Sequence, residues 1–80
     1  MNLYLLEQTT NTDYDTFDSC IVAAETEDLA IMTHPDEPDW DGKSEYWDSW
    51  CDHNYVNVKF IGEAASGTEP GVILSSFNAG

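Results

Sequence analysis

The chain has 80 residues, sixteen acids against two lysines, and a formal charge of −14. It has no apolar run near the ~20 residues that span a bilayer, and two lysines cannot neutralise a phosphate track, so membrane insertion and direct nucleic-acid binding are excluded. With 41% hydrophobic and 12% aromatic residues the chain is not simply disordered, and 1–80 reads as one small acidic domain with little interior for a deep enzyme pocket.

Residues 3–8, LYLLEQ, are strand-compatible and run into the polar stretch TTNTDYD, which predicts a first strand and a loop. The opening MNLYLLEQ has no basic segment and Glu7 interrupts its short apolar stretch, so it does not read as a secretion signal, and a cytoplasmic location is expected. SCIVAAE at 19–25 predicts a second strand that folds back on the first as a hairpin. Thr26 is a candidate N-cap for a two-turn helix ended by Pro35, with Glu27 and Asp28 in its first turn and Leu29 and Met32 expected to face the sheet.

PDEPDWDGK at 35–43 holds two prolines and a glycine and predicts an irregular arm. Ser44 is a candidate cap for a second short helix through Cys51. There Tyr46, Trp47, Trp50 and Cys51 recur at helical offsets, and Glu45, Asp48 and Asp52 fall on another face. YVNVKFI at 55–61 alternates as a strand, with Val56, Val58 and Phe60 on one side and Asn57 and Lys59 on the other. EAASGTEPG is a turn region, GVILSSF at 71–77 a last strand, and 78–80 a short tail. The fold class expected is α+β: a small antiparallel sheet of about four strands with one or two short helices.

The stretch EPDWDGKSEYWD at 37–48 tests one metal chemistry. It supplies oxygens at positions 1, 3, 5, 9 and 12 of a calcium loop, with Gly42 at position 6. Glu37 stands where a shorter Asp fits the turn, Asp48 replaces the bidentate Glu, and Pro35 and Pro38 remove the incoming helix. A small calcium-binding module therefore stays a secondary reading, and a solvated acidic loop the primary one. Cys20, His34, Cys51 and His53 lack the paired spacing of structural zinc. Ser19, Cys20 and the histidines come without a nucleophile elbow, a Gly-rich phosphate loop or an HExxH motif. No catalytic residue, metal or cofactor is predicted, and Cys20 and Cys51 are expected as free buried thiols.

The distribution of acids says more than any motif. Asp13, Asp15, Asp18, Glu25, Glu27 and Asp28 form one group, and Asp36, Glu37, Asp39, Asp41, Glu45, Asp48 and Asp52 a second with only Lys43 inside it. An 80-residue globule is about 30 Å across, so its charge is on the order of 0.5 per Å, against about one per 1.7 Å for duplex DNA. Trp40, Tyr46, Trp47 and Trp50 lie among the second group. Trp47 or Trp50 is expected in the core, and Trp40, on the arm, is expected as an exposed interface anchor.

LYLLEQ, DYDTFDSCIVAAE and IGEAASGTEPGVILSSFNAG together cover most of the chain, and it resembles small acidic uncharacterised proteins of tailed bacteriophages. The resemblance implies a phage accessory protein in the host cytoplasm, a class that includes anti-CRISPR and anti-restriction inhibitors. The expected function is inhibition of a basic, nucleic-acid-binding host defence protein by an acidic surface that mimics DNA or blocks it sterically. The expected contact residues are Asp36, Glu37, Asp39, Trp40, Asp41, Glu45, Asp48 and Asp52. The alternative is a phage interaction or assembly module whose partner surface is apolar, and an exposed strand edge would support a homodimer.

Overall fold

A computed structural model describes residues 1–78. Four strands form one antiparallel sheet: β1 (Asn2–Glu7), β2 (Thr16–Ala24), β3 (Asn57–Glu63) and β4 (Gly71–Asn78), in the order β3-β1-β2-β4. The β1–β2 hairpin is central, and the two later strands add to its opposite edges. The 64–70 segment therefore runs from one edge strand to the other, and the Ala64 amide donates to the Met1 carbonyl at its start. The expected last strand extends to Asn78, so of the expected tail only residues 79 and 80 lie outside the described residues.

Because strand side chains alternate, register sorts the sheet into two faces. On one face the cross-strand rows are Phe60–Tyr4–Val22–Val72 and Val58–Leu6–Cys20–Ser75. This is the covered face: Tyr4, Leu6, Cys20 and Val22 form the core with Phe17, Ala24, Ala30, Trp50, Cys51 and Val56. The other face carries the rows Asn57–Glu7–Ser19–Ser76, Lys59–Leu5–Ile21–Leu74 and Gly62–Leu3–Ala23–Gly71. Leu3, Leu5 and Ile21 stay only half-buried there, and Leu74 is exposed.

The helix α1 (Glu27–Ile31) begins as expected, with the Thr26 hydroxyl accepting from the Leu29 amide at 3.2 Å. The side it buries differs. Ala30 is fully buried and Ile31 packs on the core, whereas Leu29 and Met32 are exposed. A five-residue helix can present only a narrow stripe, and the small Ala30 side chain brings its backbone close to the sheet while the longer neighbours are turned to the flanks.

The second expected helix is absent, which corrects the reading of 44–51. This stretch is a series of turns, followed by a single 3-10 turn at His53–Tyr55. Its carbonyls are used elsewhere: Ser49 O accepts from the Phe17 amide at 2.8 Å, and Glu45 O, Asp48 O and Trp50 O all accept from Asn11 Nδ2. Of these, only the Glu45 oxygen would belong to the ladder of a helix ending at Cys51, and here it accepts from Asn11 and, in a tighter turn, from the Asp48 amide. The architecture is mostly sheet, with one short helix, and none of the described helices is long and apolar enough to cross a membrane.

Candidate functional site

The arm at 35–52 lies over the covered face of the sheet, fastened at its far end by Trp50 and Cys51 in the core. Trp50 is 0% exposed, and its Nε1 is the buried side-chain polar atom left without a partner among the described residues. Apolar contact alone therefore holds the indole. Trp50 fills the core role expected of Trp47 or Trp50.

Polar loop residues do the rest. Gln8 Nε2 donates to the carbonyls of Asn11 and Phe17, both at 2.7 Å, and Gln8 Oε1 accepts from the Thr10 and Asn11 amides at 2.9 and 2.8 Å. All four side-chain hydrogen-bonding positions of a buried amide are used. Asn11, fixed in this way, reaches across to the 45, 48 and 50 carbonyls at 3.0, 3.2 and 2.9 Å. The sequence places Gln8 at the end of the first strand and Asn11 in the polar stretch after it, with no role expected of either. Their only signal was a Gln and an Asn three apart beside a strand end, which composition does not separate from ordinary loop chemistry.

The near end of the arm is set by His34. Its Nδ1 accepts from the Asp36 and Glu37 amides at 2.9 and 3.0 Å, which requires a neutral ring with its proton on Nε2. Burial lowers its pKa below the ordinary histidine value and outweighs the opposing pull of Glu37, Asp36 and Asp48. The His34 ring meets Trp40 edge-on at 5.3 Å, and Trp40 Nε1 donates to the Lys43 carbonyl at 2.9 Å and the Ser44 hydroxyl at 3.1 Å. Trp40 is thus half-buried and committed to the arm's own packing, contrary to the expectation of an exposed anchor. The exposed aromatics are Tyr46 and Trp47, stacked edge-on at 4.9 Å, with Trp47 67% exposed.

Gly42 has a different reason from the one the calcium-loop pattern suggested. Its φ is +88°, and a Cβ there would fall 2.6 Å from Met32 Cε and 3.0 Å from His53 Nδ1. Its carbonyl accepts from the His53 amide at 2.9 Å and pairs with His53 Nδ1 at 2.7 Å. Gly42 is where the arm turns tightly against α1 and the 3-10 turn.

The eight expected contact residues divide by what their side chains do. Asp41 Oδ1 accepts from the Lys43 amide at 3.0 Å, Asp48 Oδ2 from the Glu45 amide at 2.6 Å, and Asp52 Oδ1 from the Asn54 amide at 3.1 Å. These three carboxylates stabilise turns. Asp36, Glu37, Asp39 and Glu45 are exposed, with no side-chain bond in the hydrogen-bond network. Among the described residues the one pair within salt-bridge distance is Asp52 with the His53 ring at 3.4 Å, and Lys43 and Lys59 neutralise none of the arm.

No group of three or more His, Cys, Asp or Glu side chains is placed to hold a metal among the described residues. The calcium-loop carboxylates are distributed along turns, and two of them, Asp41 and Asp48, cap backbone amides. Cys20 and Cys51 are free and buried, and burial pushes their thiols up to about 12 and about 11, far from a reactive thiolate. Beside the arm a groove of about 560 Å³ runs between α1, residues 33–38 and the start of β4. Its lining includes Leu29, Met32, Pro35 and Pro38, with Glu25, Asp36 and Glu37 as its carboxylates. Comparison with protein-family models, curated proteins and solved structures finds no match.

Proposed function

We propose that the chain is a non-catalytic, phage-encoded inhibitor of a basic host defence protein that binds nucleic acid, of the anti-CRISPR or anti-restriction kind. In this reading it acts in the host cytoplasm, and the acidic arm occupies the partner's cation-lined channel and excludes DNA or RNA from it. The observation that carries the reading is a fixed backbone bearing unpaired charge. Asp36, Glu37, Asp39 and Glu45 meet no cation, while the Gln8–Asn11 bonds, His34 and Trp40 hold the loop that presents them.

The densities are suitable. Fourteen net charges on a body 36 Å long are about 0.4 per Å, about two-thirds of the one per ~1.7 Å of duplex DNA. A preorganised array loses little entropy on binding, long-range attraction speeds encounter, and carboxylate–Arg pairs fix register. The exposed Tyr46–Trp47 pair takes over the anchoring role first given to Trp40, because buried aromatics ringed by polar groups dominate interface energies.

The test is a pull-down from host lysate with the purified chain, eluted along a salt gradient. Each captured nucleic-acid-binding protein is then titrated with the chain in the presence of duplex DNA. Competition with DNA, weakened by salt and by Glu37→Gln with Asp39→Asn, is the expected result. Binding indifferent to salt and to DNA would overturn it. One observation favours the alternative of an interaction or assembly module: the uncovered sheet face offers the apolar surface such a module needs.

A further inference from the structure

The face of the sheet away from the arm is an anomaly in so acidic a protein. Its three cross-strand rows hold one cation, Lys59, and one acid, Glu7, so those twelve positions carry no net charge in a chain of −14, with Asp18 in the bulge between Phe17 and Ser19 at one end. Its centre is apolar: Leu5, Ile21 and Leu74 follow one another across adjacent strands beside Lys59, and Leu3 adjoins Leu5 along β1. Leu74 is 65% exposed, and α1, Trp50 and Cys51 all pack on the opposite side.

We infer that this open face is the seat of a second copy of the chain, packed sheet against sheet in a two-fold dimer. Charge selects the occupant. A basic partner is drawn to the acidic arm, whereas a face of nearly balanced charge offers little local field to attract or orient a charged protein. What complements a neutral apolar sheet face is another of the same kind, and a two-fold axis brings the same patch from each copy together. The arrangement also separates the charge. With each protomer at least 20 Å thick, the two arms end on the outer surfaces of a body about 40 Å deep. That is several times the Debye length of ~8 Å at physiological salt, so arm–arm repulsion is largely screened.

Area sets the strength. Four strands about 4.8 Å apart and about seven residues long at ~3.3 Å each make a face of roughly 450 Å², about half of what each side of a standard-size interface buries. The contact uses nearly a whole face, and the dimer forms reversibly with concentration.

Sedimentation equilibrium of the purified chain over a wide concentration range, at low and high salt, tests this. The expected result is a monomer–dimer equilibrium that tightens as salt rises, because salt screens the repulsion of two −14 bodies and leaves apolar contact intact. Leu74→Lys, at an exposed position, is expected to weaken dimerisation at least tenfold with the circular dichroism unchanged. The added cation lowers the long-range repulsion of two acidic bodies, so the loss reports the local contact: apolar area removed and an ammonium desolvated within it. As a measurement on the natural sequence, the rate at which an amine reagent modifies Lys59 is expected to fall as dimer forms. A chain monomeric at every concentration overturns the inference, and so does a dimer that Leu74→Lys leaves intact or one in which Lys59 reacts as in the monomer. A dimer joined through the β4 edge gives that pattern, with β4 amides newly protected from exchange.

Discussion

The acidic arm and the open face lie on opposite sides of the same four strands and are organised by different means. The arm has almost no regular structure, and side chains that bond to its backbone, Asn11, His34 and Trp40 among them, fix its path. The open face is set by strand register alone, and its residues need nothing from the rest of the chain to stay where they are. Charge follows the same division, with the arm unpaired and negative and the face neutral and apolar. A small domain can therefore present two unlike surfaces if the sheet between them keeps them apart, and substitutions on one side should leave the other unchanged.

The largest expected break in that comparison is Trp50→Ala. Removing a fully buried indole from so small a core is expected to cost about 3–5 kcal/mol, while truncating exposed Leu74 to Ala stays within about 0.5 kcal/mol, both read from urea midpoints. Trp50→Phe separates volume from hydrogen bonding, because Nε1 has no partner to lose. Next comes Asn11→Ala, which strips the donor shared by three buried or half-buried carbonyls and is expected to cost about 1–3 kcal/mol. Faster amide exchange at Phe17 and Asp48, whose bonds run to Ser49 and Glu45, together with unchanged exchange across β1 and β3, would place the damage in the arm.

The sheet was legible in the sequence because strand-compatible residues, short apolar runs and, in YVNVKFI, period-two alternation report it between turn residues: LYLLEQ, SCIVAAE, YVNVKFI and GVILSSF all fall within or overlap strands. The cap at Thr26 was legible for the same local reason. Residues 44–51 misled, since Tyr46, Trp47, Trp50 and Cys51 do recur at helical offsets, but only Trp50 and Cys51 are buried. Periodicity cannot register that Asn11, 34 to 39 positions away, ties the 45, 48 and 50 carbonyls into a path built of turns. Trp40 was misplaced for a related reason. Its neighbours in sequence are prolines and acids, and only the fold brings His34 against its ring and Lys43 O to its N–H. The seven carboxylates among the expected contact residues were legible as a charged group, but their division into turn caps and free carboxylates was not.

A smaller effect sharpens the comparison through pH. His34 is neutral in the fold with a lowered pKa, so below its unfolded value near 6.5 the unfolded chain takes up the proton first. Its contribution is complete above that value and is lost as pH falls through the lower folded value. The protonated ring can no longer accept from the Asp36 and Glu37 amides. In an NMR titration the His34 ring is expected to titrate below 6.5, with the Asp36 and Glu37 amide shifts following the same midpoint and the Leu5 and Ile21 amides unmoved. Arm amides that stay fixed while His34 titrates would show that the ring does not hold the near end of the arm.

The smallest expected effect on stability belongs to the residues that matter most for the proposed binding. Glu37 and Asp39 are exposed and their side chains bond to no backbone group, unlike Asp41, Asp48 and Asp52. Their repulsion from neighbouring acids crosses water and is screened within ~8 Å at physiological salt, so it costs the fold a few tenths of a kcal/mol. Glu37→Gln with Asp39→Asn is therefore expected to raise stability slightly, by less than about 0.5 kcal/mol, and to reduce the gain that added salt gives the natural chain. Asp41→Asn keeps an acceptor oxygen for the Lys43 amide and should also be mild, but Asp48→Ala removes the acceptor for Glu45 N and should cost about 1 kcal/mol. Urea midpoints for the three variants at two salt concentrations order them. If the double variant were the most damaging, its carboxylates would be holding the arm together. If it is the least damaging, the fold has no need of charge at those positions, which is what the proposed binding to a cationic partner requires.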